Sequence, residues 1–154
     1  MRAALLGVVA ALALGGCYRG SAHSVSAAEL SREGGWQLVS DVGYIPQATE
    51  HACGVAAGAL RDLARAKGLH AFLIQGEEAD LFREVELNRP VLVGLVQRYT
   101  DRSYSHYAVV TGINRRTRHI LMLDPGHGLR EDDLGSFAIE WQGAGRLALV
   151  VGPS

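Results

Sequence analysis

The chain has 154 residues, 48% apolar and 20% charged, which is enough for one domain with a single core of ordinary globular composition. Fifteen Lys and Arg against 16 Asp and Glu give a formal charge of −1, with no long block of one sign. That balance excludes an electrostatic nucleic-acid binder, a disordered tail and a coiled coil.

The N-terminus reads as an address. Arg2 is followed by an apolar stretch over residues 3–14, then Gly15, Gly16 and Cys17. The stretch is too short to span a bilayer, and it has the basic start, apolar middle and small-residue end of a secretory signal. Leu14-Gly15-Gly16-Cys17 resembles a bacterial lipobox, in which the chain is cut before a lipidated Cys. The expectation is a signal peptide over 1–16, lipidation at Cys17 and a flexible tether over 17–35, with the folded domain filling 36–154. Acyl chains on Cys17 would hold the protein at a membrane surface without a transmembrane helix. The expected place is a periplasm-facing membrane surface, and Tyr18 after that Cys, rather than Asp, leans slightly toward the outer membrane.

Along the expected domain, residues 36–45 are short and extended and stop at Pro46. Residues 54–67 carry Val55, Ala59, Leu60, Leu63 and Ala66 at helical spacing, closed by Gly68. A strand is expected over 69–74, a helix over 77–88 through Leu81, Phe82 and Val85, and a buried strand over 90–96. Strands over 107–111 and 119–123 flank turn-forming residues and read as a hairpin. The turn Asp124-Pro125-Gly126-His127-Gly128 follows, then a helical turn over 137–141 and a last strand over 146–151. The layout is α+β, with a leading helix packed on an antiparallel sheet.

Chemistry concentrates on four side chains. With Cys17 lipidated, Cys53 is a lone thiol in an exported protein, buried and inert or kept for reactivity. It stands at the entrance of the helix expected over 54–67, where unpaired N–H groups and the helix dipole favour a thiolate. His106 and Asp124 have numbers that place them opposite one another, within a residue, in a hairpin centred near Arg115. A carboxylate there would orient the imidazole for proton transfer with a thiol. Gln47, in the loop before the helix, could aim an amide donor at a developing oxyanion.

The segment Pro46-Gln47-Ala48-Thr49-Glu50-His51-Ala52-Cys53-Gly54-Val55-Ala56-Ala57 resembles the active-site signature of the bacteriocin-processing, double-glycine cysteine peptidases. Ser105-His106-Tyr107-Ala108-Val109-Val110-Thr111-Gly112 and Leu123-Asp124-Pro125 resemble that family's His and Asp motifs, in the same order. The resemblance implies a papain-like fold with Cys53 as nucleophile, His106 as base, Asp124 as orienting carboxylate and Gln47 as oxyanion donor. It departs from the family pattern at Ala52 and in the short stretch between Cys53 and His106, which would trim one wall of the substrate cleft.

The expected partner is a peptide or protein substrate, with no cofactor. No HExxH or Cys-x-x-Cys spacing points to a metal, and Gly126-His127-Gly128 is a turn rather than a phosphate loop. Two other readings are a catalytically silent peptide-binding module and a cell-wall amidase or endopeptidase.

Overall fold

A computed structural model describes residues 20–42, 56–98 and 103–152. In chain order these form β1 (His23–Ser24), α1 (Ala27–Glu33), β2 (Trp36–Leu38), α2 (Ala56–Ala66), β3 (His70–Gln75), α3 (Glu78–Glu86), β4 (Val91–Arg98), β5 (Ser103–Asn114), β6 (His119–Asp124), β7 (Gly128–Asp133), α4 (Leu134–Gly143) and β8 (Leu147–Gly152). One eight-stranded sheet runs in the order β1-β7-β6-β5-β4-β8-β3, with β2 also paired to β5. Every pairing is antiparallel. The α+β expectation holds.

Local chemistry accounts for the elements. In α3, Asp80 accepts a hydrogen bond from the Glu77 N–H at 2.8 Å, and Leu81 and Val85, one turn apart, are both buried. Asn88 then adopts a positive φ of 58°, and the helix is over before Pro90. In α4, the Asp133 side chain caps the first turn by accepting from the Ser136 N–H at 2.9 Å. Leu134, Phe137 and Trp141 then line one face. Their core neighbours include Val91, Val93 and Leu95 of β4, Ala108 and Val110 of β5, and Ile120 and Met122 of β6. Each Val, Leu, Ile, Phe or Met among them contributes about 1.5–3 kcal/mol when fully buried.

Several expectations change. The tether expected over 17–35 carries β1 and α1 in its described part, and β1 pairs with β7 through His23↔Glu131 and Ser24↔Arg130. The polar run 128–133, unassigned from sequence, is a full strand between β1 and β6. The helix expected over 54–67 is described as α2 from Ala56 to Ala66, and Leu60 and Leu63, two of the apolar residues whose spacing marks it, are exposed. The extended segment expected over 36–45 pairs only as β2, and its continuation from residue 43 lies outside the described residues.

The hairpin β5–β6 turns through residues 115–118. The Asn114 side chain holds the turn by accepting from the N–H groups of Arg116 at 3.1 Å and Thr117 at 3.2 Å. Next to the turn, Asn114↔His119, Ile113↔Ile120 and Gly112↔Leu121 are opposite one another. Beyond a bulge between Val110 and Gly112 the partners become Val110↔Met122 and Val109↔Leu123.

Candidate active site

That bulge decides which face of the sheet each polar side chain joins. Side chains alternate along a strand. In the register next to the turn, Asp124 would fall opposite Val109 and on the face away from His106. The extra residue, Thr111, shifts the pairing by one, so Asp124 falls opposite Ala108 and shares the face of Ala108 and His106. His106 is itself opposite Leu95, while Ala108 and Val110 are opposite Val93 and Val91, so this is the face that carries the core. His106 and Asp124 are therefore diagonal neighbours, two residues out of register rather than within one. A diagonal pair is within reach of a long side chain.

The contact is made. His106 Nε2 lies 2.8 Å from Asp124 Oδ2, with the Asp124 side chain 4% exposed and that of His106 13% exposed. Burial by itself would push the Asp124 carboxyl up. The hydrogen bond and charge of His106, the Gly126 N–H and His127 together outweigh it and hold the group at about 2. Asp124 is thus a carboxylate at neutral pH, an acceptor only, so His106 Nε2 carries the proton of this hydrogen bond.

The other oxygen is also engaged. Oδ1 accepts from the backbone N–H of Gly126 at 2.8 Å and of His127 at 3.1 Å, an Asx turn built by the Asp-Pro-Gly-His sequence. His127 Nδ1 lies 3.2 Å from the same oxygen. Arg130, almost wholly buried, brings Nη1 to 3.7 Å from Oδ2. A carboxylate held by two backbone donors, two imidazoles and a guanidinium has a fixed orientation. It can set the tautomer and direction of His106 and stabilise that ring when it becomes a cation.

Of the residues singled out from sequence, the structure joins His106 to Asp124. Cys53, Gln47 and Cys17 lie outside the described residues. His127 and Arg130 were not anticipated as partners of Asp124. Nothing in the periodicity marks Arg130, because β7 reads as a polar run. His106, Asp124 and His127 also bring three donor atoms within 4.8 Å of one another, the geometry of a cation site. The Asp124 hydrogen bonds account for that closeness without one. A pocket of about 380 Å³ lined by Gly35, Trp36, Phe82 and Ile113 lies toward the turn end of β5, remote from His106.

Comparison with known proteins bears on the same region. The model of the peptidase C39 family matches residues 44–153. A solved structure of a C39-like peptidase from Bacillus anthracis has 17% identity and a TM-score of 0.50, over 70% of this chain and 64% of that one. The chain thus spans about two thirds of the Bacillus anthracis structure. The peptidase domain of Streptococcus ComA, a bi-functional ABC transporter of a quorum-sensing pathway, has 20% identity and a TM-score of 0.51, over 71% and 97%. The ComA peptidase domain of Streptococcus mutans has 23% identity and a TM-score of 0.52, over 73% and 100%. No curated protein sequence is significantly similar. At these identities the structures establish a shared fold, and the family match extends over most of the chain and both of its histidine and aspartate motifs. The chain belongs to the peptidase C39 family, whose members are cysteine-type peptidases.

Proposed function

We propose that this protein hydrolyses a peptide bond with Cys53 as nucleophile, His106 as proton carrier, Asp124 as orienting carboxylate and Gln47 as oxyanion donor. The observation that carries the reading is the 2.8 Å hydrogen bond between His106 and an ionised, buried Asp124. With Nε2 committed to the carboxylate, proton exchange with the thiol goes through Nδ1. The Cys53 thiolate attacks the carbonyl carbon, the imidazolium returns its proton to the leaving amine, and water then releases the acyl group from sulfur. The Gln47 amide and the Cys53 N–H take the charge that develops on the carbonyl oxygen.

The same reading places the protein on a bacterial membrane, exported by residues 1–16 and anchored through Cys17, with the outer membrane favoured. Its partner is then an exported peptide or protein. By analogy with the family, cleavage after small residues such as Gly-Gly is the first specificity to try.

The test is the pH dependence of Cys53 alkylation by iodoacetamide, with His106→Ala as control. The expected result is an apparent thiol pKa well below about 8.5 that returns upward in the variant. An ordinary thiol pKa with retained peptide binding would overturn the mechanism and leave a silent peptide-binding module. Release of fragments from purified peptidoglycan would identify a cell-wall hydrolase instead. Incorporation of labelled palmitate, abolished by Cys17→Ser, tests the anchor separately.

A further inference from the structure

At the opposite end of β6 from Asp124, three side chains from three parts of the chain converge. His119 opens β6, Glu131 lies in β7 and Glu33 ends α1, and one donor atom of each lies within 4.8 Å of the others. His119 Nδ1 is in hydrogen-bond contact with Glu131 Oε1. His23 of β1, directly opposite Glu131 in the ladder, brings Nε2 to 3.8 Å from Glu131 Oε2. We propose that His119, Glu131 and Glu33 bind a divalent cation, best matched by zinc, with His23 able to supply a fourth ligand.

The chemistry of the donor set supports the choice. Two imidazoles and two carboxylates suit zinc, whose bonds to nitrogen and oxygen of about 2.0–2.1 Å put tetrahedral ligands roughly 3.3 Å apart. The donor atoms of His119, Glu131 and Glu33, within 4.8 Å of one another, need only side-chain adjustment to reach that spacing, while the exposed His23 is near Glu131 alone. Two carboxylates brought together repel, and Glu131 is largely buried in a strand whose next residue is the buried Asp132. A divalent cation converts that repulsion into attraction. Glu33 is already oriented, because its Oε2 accepts from Trp36 Nε1 at 2.8 Å, the kind of outer contact that fixes a ligand's direction. The end of α1 is held as well, with Gly34 O accepting from Asn114 Nδ2 at 2.9 Å and Glu33 O from Arg116 Nη2 at 3.0 Å.

The consequence is mechanical. Residues 23–33 reach the sheet through a two-residue strand and a seven-residue helix, which is little contact for a segment next to the proposed anchor. A cation bridging Glu33 to His119 and Glu131 would clasp that segment to β6 and β7. The site is independent of the His106–Asp124 pair, since five residues of extended β6 separate its two ends by roughly 17 Å.

The test uses the full-length chain in a Cys53→Ser background, free of any histidine tag and stripped with chelator, titrated calorimetrically with zinc chloride. The expected result is one equivalent bound, with affinity lowered at least about tenfold by His119→Ala, Glu131→Gln or Glu33→Gln and unchanged by His127→Ala. Zinc should also protect residues 20–35 from limited proteolysis in the parent and not in these variants. Glu33, half-exposed, gives a variant that leaves the buried strand intact should Glu131→Gln fail to fold. No saturable zinc binding below about 100 µM overturns the proposal. So does binding that survives the Glu33→Gln and His119→Ala changes, or that is abolished by His127→Ala.

Discussion

His106 reaches Asp124 diagonally across the β5–β6 ladder, Nε2 to Oδ2 at 2.8 Å, because one extra residue at Thr111 turns Asp124 onto the face that His106 occupies. A strand pair without that bulge would separate the two side chains by the thickness of the sheet. The relationship that matters for proton transfer therefore depends on an irregularity several residues from either partner.

Replacing the carboxylate by its isosteric amide should uncouple this pair. Asp124→Asn is expected to lower the peptidase turnover number by about 10²- to 10⁴-fold with little change in KM, because the amide cannot stabilise an imidazolium or hold its tautomer. The same variant should slow iodoacetamide alkylation of Cys53 at neutral pH. Wild-type rates in both assays would remove Asp124 from the mechanism.

Arg130 is a buried cation whose guanidinium faces the Asp124 carboxylate at 3.7 Å. Arg130→Met should destabilise the domain by about 1–3 kcal/mol in chemical denaturation, since it removes a cation from beside a buried carboxylate that keeps its other donors. A loss below about 1 kcal/mol would mean that the remaining donors to Asp124 suffice.

Two buried aspartates give opposite pH dependences. Asp124 is held near 2, below its ordinary value of 3.8, so its stabilisation is present above 3.8 and disappears as the pH falls toward 2. It amounts to about 2 kcal/mol. Asp132 is raised to about 6, first by burial and then by the neighbouring Asp133 and Glu140 charges, against a hydrogen bond from Ser21. Its protonated form is favoured by folding, so its contribution is present below 3.8 and is lost as the pH rises through 6. The parent should lose up to about 3 kcal/mol between pH 4 and 6.5 that Asp132→Asn does not lose, as read from urea denaturation at each pH. Parallel stability curves for the two proteins would show that Asp132 titrates normally.

The bulge has a close approach beside it. A Cβ on Gly112 would lie 2.6 Å from Leu38 Cδ2, 3.2 Å from the Gln37 carbonyl oxygen and 3.3 Å from Leu121 Cβ. The leucine tip can move, but the β2 backbone and the β6 side chain leave no easy escape. Gly112→Ala should lower stability by about 1–3 kcal/mol and loosen β2 from β5, measurable as faster amide exchange at Leu38 and Val39. An unchanged melting temperature would show that β2 shifts freely.

Much of this protein is legible in its sequence, where local pattern and tertiary demand agree. The apolar spacing of Leu81 and Val85, the run Val91 to Val96 and the turn residues after Asn114 each specify their element, because burial rewards the period already written there. The capping box of α1 was legible too: Ser26 Oγ accepts from the Glu29 N–H at 3.3 Å, and Glu29 Oε2 accepts from the Ser26 N–H at 2.7 Å. That signal outweighs the Ser, Ala and Gly content that makes residues 17–35 resemble a tether.

Tertiary structure alone decided the rest. β7 places Arg130, Glu131 and Asp132 in the interior, which no hydropathy pattern predicts. They are tolerated there because Asp124 and His119 of the neighbouring β6, and Ser21 from before β1, supply their partners. The register of β5 against β6 is the second such decision. Sequence brought His106 and Asp124 into one hairpin, but side chains alternate with a period of two, so a single inserted residue settles which face each occupies. That choice is made by what the whole sheet buries.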